Sequence, residues 1–141
     1  MKSLFTALLI AAFFTSCSPG GNSGNQANTN EETKPLLDMN KKLLRHVVLI
    51  KFKEGTSSSD IAKVEDAFGA LEDKISEIRG YEWGINNSPE GADKGFTHCF
   101  LVTFESEEDR EVYLPHPDHQ AFVEVLTPHL EDVLVVDYWT E

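Results

Sequence analysis

Two stretches of the chain are apolar on both faces of an alternating pattern, and they constrain the fold most. Residues Leu44 to Phe52 read LRHVVLIKF, and residues Gly95 to Glu105 read GFTHCFLVTFE. A period of two is typical of β-strands, so both stretches are predicted to be strands. One layer of helices covers only one face of a sheet, so we expect a second subunit to cover the other.

The remaining segments predict helices and two further strands. A first helix, capped by Ser57–Ser59, is predicted from apolar residues at helical spacing, and Gly80 is expected to end it. Short helices are predicted after Glu105 and from Pro117, with Pro117 at the first helical position and His116 as the cap. The apolar positions are Ile61, Val64, Phe68, Leu71 and Ile75 in the first helix and Phe122, Val123 and Leu126 in the last, while Tyr81–Ile85 and Val133–Trp139 read as strands. The order β-α-β-β-α-α-β predicts an α+β domain over residues 43–141, a ferredoxin-like split βαβ.

The first forty residues predict export and a lipid anchor. Leu4 to Phe14 is an apolar run after a positive start, which is typical of a signal peptide and too short to span a bilayer. Phe14-Thr15-Ser16-Cys17 resembles a bacterial lipobox, although Phe14 departs from the usual leucine. We therefore expect a lipoprotein signal peptide over residues 1–16, a lipidated Cys17 and a flexible linker over residues 17–42.

An ordinary cleaved signal with an incidental cysteine is the alternative. By resemblance to Gram-negative lipoproteins, Ser18 favours anchoring in the outer membrane. The predicted location is the cell envelope, with membrane contact through the lipid anchor only.

Charge and missing motifs exclude several classes of function. The formal net charge is −12, so the domain should repel nucleic acid and anionic headgroups. The sequence contains no dinucleotide fingerprint, P-loop or serine nucleophile elbow, and no cofactor is expected. With Cys17 acylated, Cys99 has no partner and is interpreted as a buried apolar filler.

Histidines are the candidate chemical groups. His119 precedes Phe122 and Leu126 at helical spacing, which places its imidazole on the buried side of that helix. His46 and His98 project from strand faces rich in apolar residues, so up to three imidazoles and the Tyr113 phenol could share one apolar pocket. A neutral imidazole can act as a general base, and a tyrosine hydroxyl can donate to a carbonyl. Alternatively, each histidine only satisfies a buried hydrogen bond.

Several motifs together resemble the stress-responsive dimeric α+β barrel family. They are His46–Lys53, Tyr81–Gly84, Gly95–His98, Val102–Glu105, Tyr113–His119 and Val136–Tyr138. The resemblance implies a ferredoxin-like protomer that forms a homodimeric α+β barrel. One member, the plant olivetolic acid cyclase, closes a polyketide ring with a histidine base and an assisting tyrosine. Those roles would fall on His119 and Tyr113. Resemblance to plant members also implies a possible magnesium site on the main-chain carbonyls of Glu72, Ile75 and Ile78.

The resulting functional hypothesis is a lipid-anchored homodimer that binds a small apolar or aromatic compound. His119 and Tyr113 would be its polar contacts, and the cavity would be lined by His46, Val48, Ile50, Phe68, His98 and Phe122. One alternative is a cofactor-independent cyclase, isomerase or monooxygenase-like enzyme with His119 as base. The other is a purely structural domain.

Overall fold

A computed structural model of the protein describes residues 41–141. The predictions for the signal peptide, for Cys17 and for the linker up to residue 40 lie outside the described residues. The elements in chain order are β1 (Leu44–Phe52), α1 (Ser58–Gly69), α2 (Leu71–Lys74), β2 (Gly80–Ile85), β3 (His98–Phe104), α3 (Glu107–Tyr113), α4 (Pro117–Leu126), a 3₁₀ turn (Thr127–His129) and β4 (Leu130–Trp139). The predicted ferredoxin-like α+β fold is confirmed. Within residues 41–141, no helix has the length and apolar character needed to cross a membrane.

All four strands form one antiparallel sheet in the order β2-β3-β1-β4. The central strand β1 pairs with β3 on one side and with β4 on the other, so that Val48 lies between Phe100 and Val135. The helices pack on the face here called the inner face. On β1 and β3 the inner face carries Leu44, His46, Val48, Ile50, His98, Phe100, Val102 and Phe104. The opposite, outer face carries Val47, Leu49, Cys99, Leu101, Leu134 and Val136.

An aromatic group holds the helices against the inner face. Phe68 of α1 lies 4.5 Å from Phe100 of β3 and 4.4 Å from Phe122 of α4, measured between ring centroids. All three rings are buried. Burying one such side chain contributes roughly 1.5–3 kcal/mol, so this contact fixes α1 and α4 relative to the sheet.

Side-chain caps set where the helices begin. The Ser57 hydroxyl accepts from the Asp60 amide and starts α1 within the predicted serine cluster. At α4, His116 Nδ1 accepts from the Asp118 amide at 3.2 Å, and Pro117 takes the first helical position. The predicted His116 cap is confirmed. It places His119 in the first turn of α4.

The prediction that helical structure continues to Gly80 is wrong. A break at Ala70 separates α1 from α2, α2 ends at Lys74, and Ile75 is already extended. The Arg79 amide donates to the Thr103 carbonyl at 2.8 Å, which pairs the chain with β3. The main chain is needed at the sheet edge there, so strand pairing overrides the helical pattern.

The interpretation of Cys99 as a buried filler is also wrong, because this side chain is exposed on the outer face of β3. Nothing within the described protomer covers that face. On β4, Leu134 and Val136 are 45% and 46% exposed. The structure thus leaves uncovered the apolar face for which a second subunit was predicted.

Candidate functional site

Tyr113, His119 and His46 form the candidate site on the inner face. Tyr113 ends α3, His119 lies in the first turn of α4, and His46 belongs to β1. The ring centroids of Tyr113 and His119 are 4.4 Å apart, and those of His46 and Tyr113 are 5.9 Å apart. Tyr113 is fully buried, and His46 is 6% exposed. The structure thus brings the two predicted catalytic residues, His119 and Tyr113, together with His46, one of the two strand histidines.

The main chain orients the His119 imidazole. Its Nδ1 lies 2.9 Å from the Leu114 carbonyl oxygen. A carbonyl can only accept, so Nδ1 carries the proton and Nε2 of the neutral ring is an acceptor. Burial lowers the pKa of His119; the Leu114 hydrogen bond opposes this, and charge on His46 and His116 reinforces it. The neutral, basic form of His119 is therefore favoured.

His46 is held by a carboxylate that the sequence analysis did not single out. Its Nδ1 donates to Asp137 Oδ1 at 2.7 Å, and Asp137 Oδ2 accepts from Arg110 Nη1 at 2.7 Å. Asp137 lies opposite His46 in the β1–β4 register. The only sequence signal is that Asp137 is the one carboxylate of the predicted strand Val133–Trp139. The hydrogen bond to Asp137 fixes the orientation of the His46 ring, and Nε2 of that ring takes no part in it.

The Tyr113 hydroxyl is buried and has no hydrogen-bond partner among the described residues. Tyr81 Oη, on the inner face of β2, is in the same condition. Burial raises the pKa of both phenols, so both remain protonated at neutral pH and can donate. Buried side-chain oxygens nearly always have partners, which makes two unpartnered hydroxyls informative.

His98 does not join this group. Its Nε2 lies 3.0 Å from Glu65 Oε1, and its Nδ1 lies 2.8 Å from Thr97 Oγ1. In the sheet it is paired with Ile50, four positions along β1 from His46. Both ring nitrogens are engaged, as in the alternative in which a histidine only satisfies a buried hydrogen bond. Its contact with Glu65 ties α1 to β3.

The predicted apolar lining belongs to the core between the sheet and the helices. Phe68 and Phe122 are in contact, and Phe122 lies 6.1 Å from His119 between ring centroids. Val48 and Ile50 are buried in the same cluster. These side chains give the candidate site apolar surroundings, and their role in lining a ligand cavity stays a prediction.

The possible magnesium ligands lie at the end of α2 and in the turn after it. Ile75 and Ile78 bury their side chains in the core, and the Ile75 carbonyl accepts from the Ile78 amide at 3.2 Å. Across residues 41–141, no group of three or more histidine, cysteine or acidic side chains could hold a metal ion. Magnesium here would depend on main-chain oxygens, and this site stays a prediction.

A concave region lies on the outer face near β2. Its volume is about 630 Å³, and its walls include Leu49, Trp83, Phe96, Cys99, Leu101 and Leu134. Its lining includes no tyrosine, so it lacks a pair such as Tyr113 and His119. It continues the uncovered apolar surface of the sheet.

Comparison with known proteins identifies the family of this chain. Residues 44–140 match the family model described as the Stress responsive A/B Barrel Domain. The chain belongs to this family. A stress-response A/B barrel domain-containing protein of Arabidopsis thaliana is 36% identical over 95 residues, covering 67% of this chain and 87% of that protein. Olivetolic acid cyclase of Cannabis sativa is 28% identical over 95 residues, covering 67% of this chain and 94% of the cyclase.

Solved structures are also similar to this chain. Hydroxynitrile lyase from Passiflora edulis superposes with a TM-score of 0.66 at 27% identity, covering 70% of this chain and 94% of the lyase. A dimeric protein of unknown function from Bacteroides fragilis, also ferredoxin-like, superposes with a TM-score of 0.58 at 28% identity, covering 70% of this chain and 96% of that one.

Proposed function

We propose that this A/B barrel protein binds a small apolar or aromatic compound bearing a carbonyl group, between the inner face of the sheet and its helices. The observation that carries the proposal is the fully buried Tyr113 hydroxyl, which has no partner and lies beside His119. An unsatisfied buried hydroxyl costs roughly 1–3 kcal/mol. A ligand oxygen that accepts from Tyr113 would remove that cost.

The surroundings favour a mostly apolar ligand. Phe122 and Phe104 flank the polar pair, and both rings are buried. Binding sites for small molecules combine such walls with a few placed polar groups. Two relatives, named as a cyclase and a hydroxynitrile lyase, are consistent with a small-molecule site.

Acetophenone, an aryl ketone, is a suitable probe, and its binding to the full chain can be followed by NMR. We expect Tyr113→Phe to weaken binding about tenfold, because one hydrogen bond in a dry site is lost. His129→Gln is the matched control for His119→Gln, because His129 lies in the 3₁₀ turn outside the candidate site. If His119→Gln and Tyr113→Phe changed thermal stability but not binding, the domain would be purely structural.

A second candidate function is proton transfer next to a carbonyl. Its support is the orientation of His119, whose Nδ1 is held by Leu114 while Nε2 is free to take a proton. In such a step, Nε2 would take a proton from the carbon beside the carbonyl, and the Tyr113 hydroxyl would stabilise the enolate oxygen. No cofactor is required for this chemistry.

Deuterium exchange tests the enzymatic candidate directly. In heavy water, the methyl protons of acetophenone would exchange faster with the wild-type protein than with buffer, as followed by NMR. His119→Gln should reduce the catalysed rate by a factor on the order of 10²–10⁴, and His129→Gln should leave it unchanged. An equal rate in wild type and His119→Gln would remove this candidate.

Homodimer formation is part of the proposal. It is supported by the exposed apolar outer face, where Leu134 and Val136 lie, and by the dimeric Bacteroides fragilis neighbour. Such a face would be covered if two sheets packed against each other in a barrel. Sedimentation of the full chain should give a dimer mass, and a monomer mass at micromolar concentration would contradict it.

Lipid anchoring at Cys17 in the outer membrane of a Gram-negative cell is also proposed. Its support is the sequence Phe14-Thr15-Ser16-Cys17 after an apolar run. Cys17→Ser should move the protein from the membrane fraction to the soluble fraction and abolish palmitate labelling. The chain offers one further cysteine as a control, since Cys99→Ser should change neither.

A further inference from the structure

Tyr81 carries a second phenol on the same inner face. It projects from β2 at a position paired with Val102. Its ring centroid lies 5.6 Å from that of Phe68. An ideal Cβ built on Gly69 would lie 3.9 Å from Tyr81 Oη, so the hydroxyl lies against the end of α1. The side chain therefore extends from the edge strand towards the interior under the helices.

A chain of ring contacts through the interior links Tyr81 to Tyr113. Phe68 contacts Tyr81 and Phe122, and Phe122 contacts His119, which contacts Tyr113. Burial raises the pKa of Tyr113, and Tyr81 makes a smaller contribution in the same direction. Both hydroxyl oxygens are sealed from solvent, and neither has a partner within residues 41–141.

We propose that Tyr81 supplies a second hydrogen bond to the ligand and selects compounds that carry two oxygen groups on one apolar body. This inference rests on the proposed binding function. A compound with a carbonyl and a second hydroxyl or carbonyl group could pair with both phenols. A compound with one oxygen leaves one phenol buried and unpaired, and sites built in this way discriminate strongly against the poorer ligand.

Four probes test the inference: acetophenone and its 2′-, 3′- and 4′-hydroxy derivatives, each titrated against the full chain. With wild-type protein, at least one hydroxyacetophenone should bind about tenfold more tightly than acetophenone, since it makes one more hydrogen bond. Tyr81→Phe should reduce that ratio to about one and leave the Kd of acetophenone unchanged. Tyr113→Phe should weaken binding of all four probes.

The possible outcomes separate the two claims. If Tyr81→Phe keeps the wild-type preference, or if wild type has none, the role of Tyr81 is overturned while the binding function stands. If none of the four probes binds wild type, the binding function fails for this class of compound, and the role of Tyr81 fails with it. The Tm of Tyr81→Phe should equal or exceed that of wild type, because the hydroxyl has no partner to lose. A lowered Tm would reveal a structural hydroxyl and contradict the inference.

Discussion

The two faces of the sheet begin from similar sequences and end in opposite states. On β3, Phe100 on the inner face is fully buried, while the adjacent Cys99 on the outer face is exposed. On the inner face the apolar side chains pack against one another, but the Tyr113 and Tyr81 hydroxyls lack hydrogen bonds. On the outer face, in contrast, the apolar side chains have no other side chains of the described protomer to pack against. What each face lacks is the basis of the two proposals: a small molecule with polar groups bound on the inner face, and a second subunit packed on the outer face.

The largest expected effect compares neighbours on β3. Phe100→Ala should lower the free energy of unfolding by about 3–5 kcal/mol, because it removes a ring from the centre of the core. Leu101→Ala, one residue along on the outer face, should cost about 1 kcal/mol or less in the monomer. Urea unfolding at a protein concentration that gives the monomer measures both. Similar losses would mean that the outer face is as closed as the inner one.

A charge on the outer face should break the proposed dimer. Leu134→Asp would bury an unpaired carboxylate there, and we expect the dimer dissociation constant to rise about a hundredfold or more. Val125→Asp on α4 is the matched control, because Val125 is also exposed, at 38% against 45% for Leu134, but on the helical side. Sedimentation would detect the change. A dimer lost with Val125→Asp and kept with Leu134→Asp would place the interface on the helices.

Removing the carboxylate that holds His46 should have an intermediate effect on the inner face. Asp137→Ala breaks the hydrogen bonds to His46 and Arg110, and we expect a loss of about 1–2 kcal/mol in stability. Glu131→Ala on the same strand removes only a more exposed pair with Lys51 and should cost much less. Equal losses of stability in the two variants would indicate that the contacts of Asp137 with His46 and Arg110 are as exposed to solvent as the Glu131 pair. Thermal unfolding of both variants gives the answer.

Removing a hydroxyl from the inner face should not destabilise the free protein. Tyr113→Phe should leave the free energy of unfolding unchanged or raise it by up to about 1 kcal/mol, because the lost group has no partner. Tyr138→Phe, at a 47% exposed position of the outer face, is the control and should be neutral in the monomer. Urea unfolding without ligand is the measurement. A clear loss for Tyr113→Phe would show that the hydroxyl supports the fold.

The smallest expected effect is a shift in the titration of His119. Its pKa is lowered mainly by burial, so the midpoint seen by NMR should lie below the ordinary value of 6.5. The unfolded chain binds this proton at a higher pH than the folded chain does. Stability conferred by the neutral ring is therefore present above pH 6.5 and lost as the pH falls through the folded pKa. His119→Gln should flatten that part of the pH profile, and His129→Gln should not.

Local patterns were enough to predict the fold and part of the site. Alternation at Leu44–Phe52 and helical spacing at Phe122 and Leu126 are properties of neighbouring residues, as is the His116 cap before Pro117. The contact between His46 and Asp137 joins residues 91 positions apart and depends on strand register. No short window contains that information.

The errors have the same origin. The interpretation of Cys99 as a buried filler rests on its lack of a cysteine partner, although burial depends on which face the helices cover. The helical pattern of the sequence continues beyond Lys74, although the Arg79 amide pairs with Thr103 of β3 in the sheet. The ring contacts that link Tyr81 to Tyr113 likewise depend on packing between β2 and the helices.

The position of β1 also sets the timing of folding. This first strand of the domain takes its second neighbour from the last strand, with Leu44 paired to Trp139. Contacts of such long sequence separation form slowly, because a large loop must close before they contribute. During synthesis, one edge of β1 stays open until residues Leu130–Trp139 are available. The domain can therefore complete its sheet only late, after nearly all of its chain has been made.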